Sequence, residues 1–390
     1  MRKRTLFIGF GAAVLLVLVV APIVLAPRQA PVPMHPAAAI GESEQARTIE
    51  AMRPPKRGRP LIAIAAINEA TEVADFLVAN GVLRHADIAD VTVVAERPEP
   101  IRLYPGGLGA EPQTTARAFD ERHPDGADYV VVPAMEAPDD RFMRDWIADQ
   151  YRKGAQIVAI CNGAKTLAAA GLLDGRRATG HWYTVADLRK DHPLMEWVRD
   201  RRYVSDDRIT TSTGVTANVP VMMALVEAIA GRATAERVAG ELGVVNWDAR
   251  HRSSAFRLTV EHRKTFVRNK LAFWRHETLG LPVTDGVDET ALGLMVDAYS
   301  RTELAKVVAI GNEAVRRWHG LTLRPDRSTD GAAVDAMLPA PSSQAPAMTM
   351  ARELPRIAGR YDLHAASLVA LVMEYPWAPD PQRMAQQGSR

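Results

Sequence analysis

The sequence predicts an α/β fold in which helices cover both faces of a parallel sheet. Four short runs are apolar throughout, as in strands that are buried on both faces. Helical patterns separate these runs, and parallel strands need such crossover connections. We therefore predict a flavodoxin-like α/β sandwich. The four apolar runs are Leu61 to Ile67, Val91 to Ala95, Tyr129 to Val132 and Gln156 to Ile160.

Composition excludes several classes of protein. The chain has 390 residues, enough for two or three domains, and 47% hydrophobic residues argue against disorder. A net charge of +2 argues against a dedicated nucleic-acid binder, so we predict no nucleic-acid partner. The single cysteine rules out internal disulfides and sites built from several cysteines. The histidines show no metal-ligand spacing, so neither a metal nor a cofactor is expected.

The first 26 residues predict a membrane anchor. Residues 6–26 carry no charged side chain and would form a helix of about 31 Å, long enough to cross a bilayer. Arg2, Lys3 and Arg4 precede them, which predicts a cytoplasmic N-terminus. The expected protein is therefore a single-pass inner-membrane protein whose folded domains are periplasmic. A signal peptide cleaved after Ala26 is the alternative.

The rest of the chain divides into three parts. Residues 27–59 are rich in proline and predict a semi-extended linker. Residues 60–245 hold the alternating strands and helices. Residues 246–390 contain no convincing helix-turn-helix, because Asn246, Trp247 and Asp248 stand where a recognition helix would begin.

Residues 246–390 also suggest a degenerate repeat of the first domain. The segments 285–296, 306–311 and 320–326 echo the order of segments 68–82, 91–95 and 101–105. In this alignment Glu289 falls opposite Glu72. The alternative is chance similarity between two strand–helix–strand units.

Cys161 lies where a buried strand meets a helix. Ala159 and Gly163 leave room for the tight turn of a nucleophile elbow. A helix N-terminus lowers the pKa of a thiol, so this position predicts a reactive cysteine. The alternative is that Cys161 is a small buried hydrophobic residue.

The residues around Cys161 resemble a known family. The segments 159–164 and 167–182 resemble the DJ-1/PfpI family of the class I glutamine amidotransferase-like superfamily. They look most like the DJ-1-like domain of AraC-type regulators, and segments 209–217 and 225–227 match the end of that domain. The resemblance implies a small-molecule ligand or substrate and a homodimer.

The resemblance also implies a site. Cys161 would be the nucleophile, Glu72 a protonated acid hydrogen-bonded to the thiol, and His181 a nearby proton carrier. A raised pKa would be the signature of such a carboxyl. Glu69 competes for this role, since Glu72 could simply favour the start of a helix. His181 could be structural.

Departures from the family pattern leave the activity open. Asn162 follows the nucleophile where the protease-like branch has histidine. Ala134 and Met135 stand where the family has a glycine pair that forms an oxyanion hole, so the Met135 side chain could block that hole. With Gly163, these residues are the predicted pocket.

Two functions are therefore open at this point. In the first, the chain is a Cys-dependent enzyme that acts on a small electrophile by hydrolysis, hydration or glyoxalase-like addition. Alternatively, it is a non-catalytic module that binds a ligand or senses oxidation.

Overall fold

A computed structural model describes residues 37–311, 315–316, 320–328 and 333–378. Within these ranges no helix is long and apolar enough to cross a membrane. The longest helix among the described residues has 14 residues, whereas a bilayer core requires about 20. The predicted single-pass inner-membrane localisation is corrected on this finding. The segment 6–26, from which it was inferred, lies outside the described residues.

The described residues form alternating strands and helices. The helices are α1 (Glu42–Ala51), α2 (Val73–Ala86), α3 (Ala116–Arg122), α4 (Arg141–Arg152), α5 (Gly163–Ala169), α6 (Val185–Asp191), α7 (Asn218–Ala230), α8 (Arg232–Leu242), α9 (Val260–Leu271), α10 (Glu289–Ser300), α11 (Thr349–Arg360) and α12 (Leu363–Val372). The strands of the first half are β1 (Leu61–Ala66), β2 (Thr71–Glu72), β3 (Asp90–Ala95), β4 (Ile101–Tyr104), β5 (Leu108–Ala110), β6 (Thr114–Thr115), β7 (Tyr129–Val132), β8 (Gln156–Ala159), β9 (Arg177–Ala178), β10 (Glu196–Trp197), β11 (Tyr203–Asp206) and β12 (Ile209–Ser212). The second half adds β13 (Glu277–Pro282), β14 (Ala305–Ile310), β15 (Val315–Arg316), β16 (Thr322–Pro325) and β17 (Ala336–Met337).

A seven-stranded sheet in the order β11-β12-β8-β7-β1-β3-β6 forms the centre of the first half. All its strands are parallel except β11, which pairs antiparallel with β12. Apolar side chains are buried on both faces of this sheet, as the continuous apolar runs predict. The predicted parallel α/β fold is confirmed. Because β8, β7 and β1 are neighbours, the loops that follow them meet at one edge of the sheet.

Helix α1 lies inside the segment that was expected to be an extended linker. Its C-terminal neighbour Met52 is 1% exposed, and the Tyr129 hydroxyl donates to the Met52 carbonyl over 2.7 Å. Glu44 pairs with Arg201 at 2.6 Å. These contacts hold the segment against the sheet edge at β11, which explains why a proline-rich stretch is ordered there.

The second half of the chain, from residue 246 onward, is a smaller α/β unit that packs on the first half, residues 37–245. Strands β14, β13 and β17 form a parallel sheet, and β16 pairs antiparallel with β5 of the first half. Helices α2 and α10 lie against each other and are buried along most of their length. Glycines permit this close approach: a Cβ at Gly81 would meet Thr290 Oγ1 at 2.7 Å, and one at Gly293 would meet Leu77 Cβ at 3.0 Å.

Polar contacts across this helix pair are reciprocal. Glu289 Oε2, at the start of α10, accepts a hydrogen bond of 2.5 Å from Asn80 Nδ2 in the middle of α2. In the opposite direction Arg301, just after α10, lies 3.6 Å from Glu72 Oε1 at the start of α2. The second half thus contributes a cation directly to the neighbourhood of a predicted site residue.

Candidate functional site

Cys161 occupies a strained turn between β8 and α5. Its φ is +55°, a left-handed conformation that non-glycine residues adopt rarely and that functional sites often retain. A Cβ at Gly163 would overlap the carbonyl oxygen of Val132, so only glycine fits there. The predicted elbow geometry is therefore present, and it turns the Cys161 side chain to the edge of the sheet.

A cavity of about 570 Å³ opens at this edge. Its floor comes from the first half and includes Cys161, Glu72, His181, Asn162 and Ala134. Its roof comes from the second half, through α9, α12 and the segment after α10. Most of the roof is apolar. The roof residues are Leu258, Arg263, Phe266, Val267, Arg301, Glu303, Leu368, Leu371 and Val372.

Three buried carboxyl groups lie behind the thiol. Glu72 Oε2 caps α2 by accepting from the Asp75 amide over 2.6 Å. Asp297 pairs with Arg301 at 2.7 Å. One oxygen of each carboxyl group, Glu72 Oε1, Asp75 Oδ1 and Asp297 Oδ2, accepts no hydrogen bond from any described residue. Three acids therefore share the charge of Arg301.

This crowding keeps protons in the cluster. Burial, together with the charges of Asp297 and Asp75, raises the pKa of Glu72 well above its ordinary value, although Arg301 opposes the shift. Burial also raises the pKa of Asp75 to about 7. The raised pKa of Glu72 has the direction that the family resemblance implies, but among the described residues Glu72 makes no hydrogen bond with the Cys161 thiol. Glu69, its competitor, is exposed and pairs with Arg97 instead.

The region expected to form an oxyanion hole is used differently. The backbone N–H of Ala134 donates to Asp75 Oδ2 over 3.0 Å, so this amide is already engaged. Met135 does not line the cavity, contrary to the prediction, and its side chain packs in the apolar cluster on the other face of the sheet. Met135 lies in the turn after β7 and forms a β-bridge with Thr71, which holds its side chain in that cluster. Gly163 is likewise absent from the cavity lining and serves the turn.

His181 is fixed by backbone atoms on both sides of its ring. The Tyr183 amide donates to Nδ1 over 3.3 Å, so Nε2 carries the proton and donates to the carbonyl of Val372 over 2.9 Å. Asn162 Oδ1 accepts from the Thr184 hydroxyl over 2.6 Å. Both side chains line the cavity, but His181 has no nitrogen left over for a proton transfer in this arrangement.

Glu374, just after α12, links the roof of the cavity to its floor through hydrogen bonds. Its carboxylate accepts hydrogen bonds from the backbone N–H of Trp182, at 2.9 Å, and from that of Gly214. Its own backbone carbonyl accepts from the Thr216 hydroxyl over 2.7 Å. Glu374 is 3% exposed and has a φ of +54°, so packing holds it in a strained conformation. The cavity is therefore a joint product of both halves.

The thiol itself contradicts the expectation of a reactive thiolate. Burial raises the pKa of Cys161 well above its ordinary value, and the Asp75 and Glu72 carboxyl groups raise it further when they are ionised. A hydrogen bond from the Asn162 backbone opposes these effects but does not outweigh them. Helix α5 has only seven residues, so its dipole is a weak counterweight to desolvation.

Residues 61–228 match the family model described as DJ-1/PfpI family. These residues form a DJ-1/PfpI family domain. The predicted resemblance is thus confirmed.

Curated relatives of this domain include regulators and enzymes. The chain is 36% identical over 81 residues to the HTH-type transcriptional regulator CdhR of Pseudomonas aeruginosa, covering 21% of this chain and 24% of the regulator. It is 35% identical over 108 residues to the isonitrile hydratase of Pseudomonas putida, covering 28% of this chain and 45% of the hydratase. The chain thus spans less than half the length of these relatives.

Among solved structures, DJ-1beta of Drosophila melanogaster aligns with a TM-score of 0.43 and 24% identity. The alignment covers 48% of this chain and 99% of that one.

Several site residues were not found from the sequence. Asp75 lies one helical turn after Glu72, and this spacing could have indicated a second acid on the same side of α2. Arg301, Asp297 and Arg263 come from the second half, where no motif marks them. Only the folded chain brings Arg263 and Arg301 to the cavity and pairs Asp297 with Arg301.

Proposed function

We propose that this chain binds a small, mainly apolar molecule in the Cys161 cavity, and that Cys161 serves there as a neutral thiol. The cavity carries the proposal: its volume falls in the range of small-molecule sites, and apolar side chains form most of its roof. The known relatives include HTH-type regulators, so a member of this family that binds rather than reacts fits the same domain.

Three features of the site support binding over acyl-transfer chemistry. The thiol pKa is raised, so little thiolate is present at neutral pH. The Ala134 amide, which could have stabilised an oxyanion, donates to Asp75 instead. His181 is hydrogen-bonded through both nitrogens to the backbone and offers no free base. A hydrolase needs all three functions at once.

A fluorescent probe for apolar cavities tests the proposal. Anilinonaphthalene sulfonate should bind the wild-type chain at one saturable site. Val267→Trp fills the cavity from α9 and should weaken binding by about tenfold or more. Lys264→Trp adds the same side chain to the same helix outside the cavity lining and should bind like the wild type. Equal binding by all three chains would overturn the proposal.

A second candidate is Cys-dependent addition to an electrophile. The strained φ of Cys161 favours it, because such strain is often kept for chemistry. An isonitrile is a suitable probe, since a relative is named isonitrile hydratase. The thiol would add S–H across the isonitrile carbon, and water would then release the formamide and restore the thiol.

Formation of the formamide from cyclohexyl isonitrile distinguishes the two candidates. If the wild type produces it and Cys161→Ser does not, while both still bind the fluorescent probe, Cys161 is catalytic. If neither produces formamide, the binding function stands without this reaction.

A further inference from the structure

We propose that the ligand of the cavity carries a carboxylate group that pairs with Arg263. This inference rests on the proposed binding function and adds the chemical class of the ligand. Four ionisable acidic or basic side chains line the cavity, Glu72, Arg263, Arg301 and Glu303. Arg263 differs from the other three in its partners.

The other three charges are neutralised within the protein. Arg301 pairs with Asp297 at 2.7 Å and lies 3.6 Å from Glu72. Glu303 pairs with Lys270 at 3.2 Å. The Arg263 guanidinium, in contrast, has neither an ion pair nor a side-chain hydrogen bond with any residue that the structure describes.

Arg263 is also not needed to hold its helix in place. The preceding residue, His262, completes the capping box of α9 and contacts the Ser367 hydroxyl at 3.1 Å. Arg268 pairs with Asp362, and the Asn269 amide donates to the carbonyl of Thr302 over 2.9 Å. These contacts fix α9 against α12 and the segment after α10. The position of Arg263 at the cavity is thus set by its neighbours, and its own charge is left for a ligand.

The surroundings of Arg263 define the ligand further. The same cavity is lined by the apolar side chains of Leu258, Phe266, Leu368 and Leu371, which suit a hydrocarbon chain or ring. A guanidinium stays charged at all relevant pH values and binds a carboxylate through two parallel hydrogen bonds. A dianion such as a phosphate monoester would meet one free cation together with Glu303 and the carboxyl cluster. The site therefore favours an amphipathic monocarboxylate.

Calorimetric titration with octanoate and octanamide tests this assignment. The two probes share an apolar chain and differ in charge. Wild type should bind octanoate about tenfold or more tightly than octanamide, because a charge-assisted pair adds to the apolar contact. Arg263→Gln should reduce this preference to about one. Lys264→Gln removes the same charge from the same helix outside the cavity and should keep the preference.

Each of these outcomes would overturn the assignment: no preference for octanoate in the wild type, an unchanged preference in Arg263→Gln, or tighter binding of octylphosphonate than of octanoate. If octanamide still binds and Val267→Trp blocks it, the proposed binding function survives this failure. If neither octanoate nor octanamide binds, the carboxylate assignment falls, and the fluorescent probe decides separately whether the cavity binds ligands at all.

Discussion

Replacing Asp75 by asparagine should remove much of the pH dependence of folding stability. Asp75 is 0% exposed, and burial raises its pKa to about 7 from an ordinary 3.8. A carboxyl group whose pKa is raised by folding stabilises the folded chain most below its unfolded pKa. That contribution is lost as the pH rises through the folded value. Wild type should therefore lose stability between about pH 4 and pH 7.

The size of this loss follows from the shift. A difference of about three pKa units corresponds to ~4 kcal/mol in the free energy of unfolding. Glu72 acts in the same sense, because its pKa is raised as well. Asparagine keeps an oxygen that accepts from the Ala134 amide but cannot ionise. At pH 8 the free energy of unfolding of Asp75→Asn should be at least that of the wild type. We expect it to be higher by about 1–3 kcal/mol, because burying the new N–H₂ group offsets part of the gain.

Urea unfolding followed by circular dichroism at pH 5 and pH 8 measures these differences. Asp187→Asn is the matched control, because Asp187 is an exposed residue in the first turn of α6. It should leave the wild-type pH dependence intact. The reasoning would be refuted if wild type were equally stable at both pH values, or if Asp75→Asn kept the full wild-type loss.

Two further substitutions test the packing of the site. Gly163→Ala places a Cβ against the carbonyl oxygen of Val132 and should lower the free energy of unfolding by about 3 kcal/mol. The urea midpoint measures this loss, and a loss below about 0.5 kcal/mol would contradict the close approach. Arg301→Met removes the cation shared by Glu72 and Asp297 and should cost about 3 kcal/mol at pH 8. The Arg301→Met cost should shrink at pH 5 as the carboxyls take up protons, and a larger cost at pH 5 would count against a shared charge.

The elements that the sequence predicts best are those with local signals. Unbroken apolar runs identified β1, β3, β7 and β8 because burial on both faces leaves a continuous pattern. The strand, cysteine and small residues around Cys161 identified the elbow, since that turn demands glycine at position 163. The raised pKa of Glu72 followed from the family resemblance.

What the sequence did not predict depends on contacts between distant segments. Helix α1 is held by Tyr129 and Arg201, which lie far along the chain. The thiol pKa depends on the burial of Cys161 and on the nearby Asp75 and Glu72 carboxyl groups, and a local view of the helix N-terminus predicted the opposite shift. Arg263 reaches the cavity only because α9 folds over it.

The internal repeat stays a prediction, and the helix pair supports it. Glu72 is followed after 8 and 12 residues by Asn80 and Arg84, and Glu289 after the same intervals by Asp297 and Arg301. Arg84 Nε donates to Asn80 over 2.8 Å, and Arg301 Nε donates to Asp297 over 2.7 Å. The same spacing with the same local contact is expected of two related units that face each other. The homodimer implied by the family resemblance also stays a prediction.

Titration of the Cys161 thiol tests the central claim most directly. The chain has one cysteine, so the ultraviolet absorbance of thiolate in the native protein reports this residue alone. A neutral buried thiol at the floor of the cavity predicts no thiolate signal in the native protein below about pH 9, whereas the unfolded chain should show most of the signal at that pH. A native transition centred below pH 8 would contradict the account and restore Cys161 as a thiolate nucleophile.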